Sequence, residues 1–214
     1  MNVSVIIPTL NEEEYIGACL TGLLNQTMPP SEIIVIDGNS KDRTVEIAYS
    51  YTNKIFTTDI KGIGSARAIG VYNARGDVIL STDADTVLEE HFIERGLELL
   101  ADETVVGVTG KIKAIDPSES HYEVLSSIFK KGRGLNTMFK RRACSTSYCY
   151  TTPGLREDWD LWDMLSKRGK VIYDKNLIAY TQLPSAFQES FVSTVAVTGV
   201  VVGGLYLLYL TEHA

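Results

Sequence analysis

The sequence predicts an α/β domain, a mostly parallel sheet with helices on both faces, followed by a long apolar C-terminal segment. Three observations carry this expectation. Apolar, β-branched runs of strand length, among them "VSVIIP", "EIIVID" and "GDVIL", each end in turn-forming residues. Stretches with helical periodicity separate these runs, and a β-α-β alternation builds parallel sheets. Finally, residues 191–210, "FVSTVAVTGVVVGGLYLLYL", contain no charged side chain.

Each element has its own justification. After "VSVIIP", the stretch "NEEEYIGACLTGLLNQ" places Ile16, Cys19, Leu20, Leu23 and Leu24 at helical spacing. Asn11 offers an N-cap there, and Glu12, Glu13 and Glu14 suit the positive end of a helix dipole. Past "EIIVID", the run "GNSKDRTVEIAYSY" opens a second helix. A short strand at "KIFTT", a helix through "GSARAIGVYNA" and the strand of "GDVILSTDAD" follow. Beyond Glu89, "EHFIERGLELLAD" reads as a helix, "TVVGVTGKIKAI" as a strand, "REDWDLWDMLSKRG" as a helix and "KVIYDKNLIAY" as a closing strand or hairpin. Between Ile115 and Gly154, apolar positions alternate with Lys130, Lys131, Arg133, Lys140, Arg141 and Arg142. That mixture suits a membrane surface with anionic headgroups, or a solvated face. No repeat or low-complexity linker interrupts the chain, which divides into a domain over 1–185 and a hydrophobic anchor over 186–214.

Composition narrows the function classes. A net charge of -7 on 214 residues argues against a nucleic-acid footprint, which needs clustered positive charge. Cys19, Cys144 and Cys149 are too few and too scattered for a disulfide framework and read as reduced thiols in a cytosolic setting. "MNVSVIIPTL" shows no basic region or cleavage pattern of a signal peptide. About 20 apolar residues suffice for a membrane-spanning helix, and Tyr206 and Tyr209 suit its aromatic belt. The alternatives for this tail are a buried helix or an oligomer contact. Gly199 and Gly203 form a G-x-x-x-G pair through which two such helices could pair as a homodimer. Basic residues before the tail, and only His213 after it, agree with a cytoplasmic catalytic domain and a single-pass C-terminal anchor.

Ligands of parallel sheets collect at the carboxyl ends of the strands, where Thr9, Asp37 and Asp83 all fall. Asp83 and Asp85 are separated by one alanine, Ala84. In extended backbone, alternate side chains share a face, so both carboxylates could reach one site. Two close carboxylates repel unless a cation or proton lies between them. Hard oxygen ligands suit Mg²⁺ or Mn²⁺; the other reading is a cap for the following helix.

In order and spacing, "VSVIIPTLNEEEYIGACLTGLLNQT", "EIIVIDGNSKDRT", "GSARAIGVYNARGDVILSTDAD" and "REDWDLWDMLSKRGK" resemble the family 2 glycosyltransferases of the GT-A fold, over about residues 2 to 182. The resemblance implies a nucleotide-diphosphate sugar over the strand ends and inversion at the anomeric carbon. Within that family, dolichyl-phosphate and polyprenyl-phosphate sugar synthases often carry membrane helices after the catalytic domain. It further implies that Pro8, Thr9, Asn11 and Glu12 line the base and ribose. Asp37 matches the first aspartate of the second-strand motif, and Asp83 with Asp85 forms the metal motif, Asp83 contacting ribose or metal-bound water. Arg67 offers its planar fork to a phosphate or orders the aspartate loop, its other reading being a helix-surface cation in an ion pair. Gly62 and Gly64 would allow close backbone approach to the ligand. Glu157 and Asp158 match the family's acidic pair, the second being the usual base.

The chain also departs from the pattern. Where many members carry a second aspartate that reads the base, Gly38 stands, so UDP and GDP both remain open. Met164 replaces an arginine after the acidic pair, no histidine follows the closing strand, and the Q-x-x-R-W motif of processive enzymes is absent. A single transfer to a membrane lipid, polyprenyl phosphate or a lipid-linked saccharide, is the expected reaction. Two other classes are a membrane-tethered nucleotide-sugar binder without turnover and a nucleotidyltransferase. The latter needs a glycine-rich basic loop after the first strand, and "PTLNEEE" is not one.

Overall fold

The computed structural model describes residues 1–115, 136–144 and 157–182, the last stretch with side chains from Asp160 onward. Chain order is β1 (Val3–Thr9), α1 (Ile16–Leu24), β2 (Glu32–Asp37), α2 (Thr44–Ala48), β3 (Ile55–Thr57), α3 (Ile63–Asn73), β4 (Val78–Ser81), β5 (Thr86–Leu88), α4 (Phe92–Leu100), β6 (Val105–Ala114), β7 (Thr137–Lys140), α5 (Glu157–Ser166) and β8 (Lys170–Thr181). Eight strands make one sheet in the order β3-β2-β1-β4-β7-β6-β8-β5.

The run β3-β2-β1-β4 is parallel throughout, with Thr9 opposite Asp37 and Asp37 opposite Thr57. Four carboxyl ends therefore share one edge of the sheet, and this edge positions the site. Residues alternate between faces along β1 as strand geometry requires. Val3, Val5 and Ile7 pack with Ile16, Leu20 and Leu23 of α1 and Phe92 and Ile93 of α4. Ile6 packs on the other face with Ile34, Ile36, Ala66 and Val71 of α3, and Leu161 and Leu165 of α5. Helices thus cover both faces, as expected. The α3–sheet contact is close: a Cβ on Gly70 would lie 2.8 Å from Ile36 Cδ1 and 2.9 Å from Ile6 Cβ.

Two strands differ from the sequence expectation. β7 runs antiparallel between β4 and β6, and β5 runs antiparallel to β8. The β7 stretch, "TMFK", hid among basic residues, yet all four residues are buried. Lys140 is 4% exposed because its ammonium donates to the Asp102 carbonyl at 2.9 Å. Arg142 pairs with Glu103. Lys140 is therefore no surface cation, which corrects the membrane-surface reading for it, whereas Arg142 stays exposed in its ion pair; Lys130, Lys131 and Arg133 lie outside the described residues. Cys144 is disulfide-bonded, which corrects its reading as a reduced thiol, whereas Cys19 is free and buried.

The expected anchor, 186–214, lies outside the described residues with its G-x-x-x-G pair. Among the described residues no helix is long and apolar enough to cross a membrane. Residues Met1–Thr181 form one compact unit.

Candidate active site

Loops leaving β1, β2, β3 and β4 enclose a cleft of about 630 Å³. Pro8, Thr9, Glu12, Gly38, Asp83, Ala84 and Asp85, all singled out in the sequence, line it. Gly62, also singled out in the sequence, lines it too, with Leu10, Ala66 and the rest of its segment, Thr58, Asp59, Ile60, Lys61 and Ile63. That segment leaves the three-residue strand β3, and extending the strand-end rule to this fourth parallel strand would have found it.

The first two loops are stitched together by polar side chains. Asn11, at φ 56°, does not cap α1; its Oδ1 accepts from Lys41 N–H at 2.8 Å and its own N–H donates to Ser40 Oγ at 2.9 Å. Tyr15 occupies the cap position and no acidic residue lies in the first turn of α1. Glu12 N–H donates to Thr44 Oγ1 at 2.7 Å, and Glu13 N–H to Asp42 Oδ2 at 3.1 Å. Asp37 is 2% exposed and accepts from Asn39 N–H at 3.0 Å, Ser40 N–H at 3.1 Å and Ser40 Oγ at 2.5 Å. Asn11 and Asp37 therefore shape the loops, and neither lines the cleft. Gly64 lies buried inside α3 and is not a lining residue either; Gly62, at φ 105°, caps that helix in a conformation that favours glycine.

The aspartate motif sits in a turn, because strand β4 ends at Ser81 and Thr86 N–H closes onto the Asp83 carbonyl at 3.2 Å. The extended backbone expected there is absent, but both carboxylates still face one cleft. The cation beside them comes from α3: Arg67 Nη2 lies 2.6 Å from Asp83 Oδ1. At 2% exposure Arg67 is no helix-surface cation. Its contact is with the first carboxylate of the aspartate loop. Asp85 accepts from Thr86 Oγ1 at 3.2 Å.

One guanidinium does not balance this acidity. Burial first, then the Asp83 charge, push the Asp85 carboxyl up to about 6. Burial, then Asp85, Asp83 and Asp42, push Glu12 up to about 7. Burial with the same carboxylates raises the Cys19 thiol, so it stays protonated and inert. A raised carboxyl pKa means that the fold binds more protons than the unfolded chain. From Asp85 and Glu12 the metal-free protein thus gains stability that is full below their ordinary values of 3.8 and 4.5 and is lost as pH rises through about 6 and 7. A melting-temperature series in chelator should fall across that window, and Asp85→Asn should flatten it; a flat wild-type series would refute the crowding.

Glu157 and Asp158 occupy the first two positions of α5. Among the described residues, the group of acids and histidines close enough to share one ion is Glu89, Glu90 and His91, after β5, none of which lines the cleft. It does not include the aspartate motif.

A mixed α/β sheet with an acid-ringed cleft over its parallel strand ends is the GT-A type of architecture. The chain belongs to glycosyl transferase family 2, whose model matches residues 4–160. It is 28% identical over 164 residues to glycosyltransferase AglE of Haloferax volcanii, covering 73% of this chain and 54% of that one. Over 132 residues it is 32% identical to a dolichyl N-acetyl-α-D-glucosaminyl phosphate 3-β-D-2,3-diacetamido-2,3-dideoxy-β-D-glucuronosyltransferase of Methanococcus voltae, with 55% and 41% covered. The chain thus spans about half the length of these curated relatives. Glucosyl-3-phosphoglycerate synthase of Mycobacterium tuberculosis, solved with Mn²⁺ and UDP-glucose, superposes with a TM-score of 0.65 at 17% identity, over 94% of this chain and 78% of that one. Membership of the family sets aside the nucleotidyltransferase alternative.

Proposed function

We propose that this chain is an inverting, metal-dependent glycosyltransferase that moves one sugar from a nucleotide-diphosphate sugar, with UDP or GDP as the leaving group, to a lipid acceptor. The observation that carries this reading is the crowding of Glu12, Asp83 and Asp85 around one 630 Å³ cleft, with a buried Arg67 under Asp83. Carboxylates whose charge is opposed by burial and by each other are a donor set that a hard divalent cation relieves. Asp83 and Asp85 would hold Mg²⁺ or Mn²⁺, which as a Lewis acid supplies charge neutralisation for a departing diphosphate. Arg67 fixes Asp83 against rotation, and the loop network built on Asp37 and Asn11 holds Pro8, Thr9 and Glu12 in the cleft wall. The solved relative with Mn²⁺ and UDP-glucose supports the donor class.

Asp158, supported by Glu157 before it, accepts the proton of an acceptor hydroxyl as the new bond forms. With a lipid phosphate the acceptor oxygen is already an anion, and Asp158 then only orients it. Asp158→Asn should therefore leave donor binding unchanged and slow transfer to a hydroxyl acceptor by about 10²-fold or more; an unaltered single-turnover rate would remove it from the chemistry.

A lipid acceptor such as polyprenyl phosphate, or a lipid-linked saccharide, is supported by the Methanococcus voltae relative, a dolichyl-phosphate sugar transferase by name. The uncharged residues 191–210 support a membrane anchor with the catalytic domain on the cytoplasmic side. Truncation before Phe191 should move the protein from the membrane fraction to the supernatant. Continued sedimentation of the truncated chain with membranes would count against the anchor.

The deciding experiment is a thermal-shift screen of UDP- and GDP-sugars with and without Mn²⁺, since a ligand bound only by the folded state raises its stability by mass action. A shift that needs both nucleotide-sugar and Mn²⁺, followed by release of free nucleotide on adding polyprenyl phosphate, is expected. No shift with any nucleotide-sugar in the presence of Mn²⁺ would overturn the reading.

A further inference from the structure

We propose that Asp59 reads the nucleotide base, supplying from the end of β3 the carboxylate that position 38 lacks, and that it selects a base with an N–H on its pairing edge. The proposal rests on the nucleotide-sugar reading above and deepens it. Gly38 lines the cleft where β2 ends. Neither packing nor backbone demands glycine there: a Cβ would meet Thr9 O at 3.5 Å and Leu10 Cδ1 at 3.6 Å, ordinary contact distances, and its φ is not positive. Gly38 therefore contributes no side chain to this end of the cleft.

The adjacent strand fills the chemical role. Thr58 N–H donates to the Asp37 carbonyl at 2.8 Å, which extends the β2–β3 pairing by one residue, so that Thr58 stands opposite Gly38 and Asp59 follows one residue beyond, level with Asn39. Asn39 Nδ2 donates to Asp59 Oδ1. Asn39 is itself fixed, at φ 70°, by its N–H on Asp37 Oδ2 at 3.0 Å. Asp59 is therefore held by one oxygen, while its Oδ2 accepts no hydrogen bond from the described residues. The cleft wall around it carries two large apolar side chains open to solvent, Leu10 at 55% and Ile60 at 61% exposure. Exposed apolar surface flanking a held carboxylate is what a flat heterocycle with a polar edge requires.

A carboxylate only accepts hydrogen bonds. Uracil offers N3–H, and guanine offers N1–H with its 2-amino group beside it. Cytosine and adenine instead present a lone pair at the corresponding ring nitrogen, which repels the carboxylate. A site built for a donor rejects the analogue that lacks it far more strongly than an apolar pocket rejects a misfit.

The test titrates UDP, GDP, CDP and ADP into the full chain with Mn²⁺, for wild type, Asp59→Asn and Asp59→Ala. Wild type should bind UDP or GDP at least about tenfold more tightly than CDP and ADP, the scale of one hydrogen bond to a charged group; the stronger of the two names the base. Asp59→Asn, whose amide can donate to cytosine N3, should bring the ratio of the preferred nucleotide to CDP close to one. Asp59→Ala should lose about tenfold for the preferred nucleotide while CDP, freed of the repulsion, binds as well as before or better. An unchanged ratio in Asp59→Asn, or a wild-type preference for CDP or ADP, overturns the base assignment while leaving nucleotide-sugar binding intact. Failure of wild type to bind any of the four with Mn²⁺ removes the donor reading and this assignment together.

Discussion

Asp85→Ala should abolish the Mn²⁺-dependent part of donor binding and cut transfer by about 10³-fold or more, the loss expected when several kcal/mol of charge stabilisation on the leaving group disappears. The sign of two accompanying effects separates this from simple damage. Asp85 is a half-buried carboxylate whose charged form is opposed by burial and by Asp83, which together raise its pKa to about 6. Removing it relieves that repulsion, so without metal the alanine variant should melt higher than wild type at pH 8, against the usual direction of a substitution. Metal-free affinity for the nucleoside diphosphate should rise or stay level, since one negative charge facing the diphosphate is gone. Isothermal titration with and without Mn²⁺, beside a melting curve in chelator, measures all three. Retained Mn²⁺-dependent binding in the variant would remove Asp85 as a ligand, and a lower metal-free melting temperature at pH 8 would show that the carboxylate is structurally satisfied.

How much of this was legible in the sequence depended on whether a residue's role was local. β1, β2 and β4 were readable because strands covered on both faces need unbroken apolar, β-branched runs, and such runs have few other uses. β5, with three residues, is too short to show any period. β7 was hidden because Lys140 reads as a surface residue, and the distant Asp102 carbonyl and Glu103 carboxylate make its burial tolerable. The same limit governed the site. Asp83 and Asp85 were visible because they follow a strand directly. Asn11 read as a helix cap because that is the nearest use for an asparagine before a helix, whereas its partners, Ser40 and Lys41, are about thirty residues away. Asp59 carried no signal beyond its place after a strand end; what distinguishes it is the nearby Gly38 and the side chain of Asn39, a conjunction that exists only once β2 and β3 pair. The two aspartates were recognisable without Arg67 beside them, yet their arrangement depends on it.

That dependence gives the second large effect. Arg67→Met keeps the length and packing of the side chain but leaves Asp83 uncompensated beside Asp85 and Glu12. Arg67 has a side-chain exposure of 3% against 28% for Asp83, so the carboxylate is only partly rescued by water. Removing one partner of a pair this close and this dry costs about 3 kcal/mol, and a melting curve in chelator should show it at pH 8. The deficit should shrink as pH falls through the raised carboxyl values, about 7 for Glu12 and about 6 for Asp85, because protonation removes the repulsion that Arg67 was offsetting. Mn²⁺ should restore part of the lost stability at pH 8, by supplying positive charge to the carboxylates that the guanidinium no longer offsets. Arg67→Lys should recover the charge but not the planar fork, returning most of the stability and little of the transfer rate. A purely packing role for Arg67 predicts otherwise: a deficit of the same size at pH 5 and pH 8, indifferent to Mn²⁺ and not repaired by lysine. The comparison therefore decides whether the acid-ringed cleft is held open by charge balance or merely by shape.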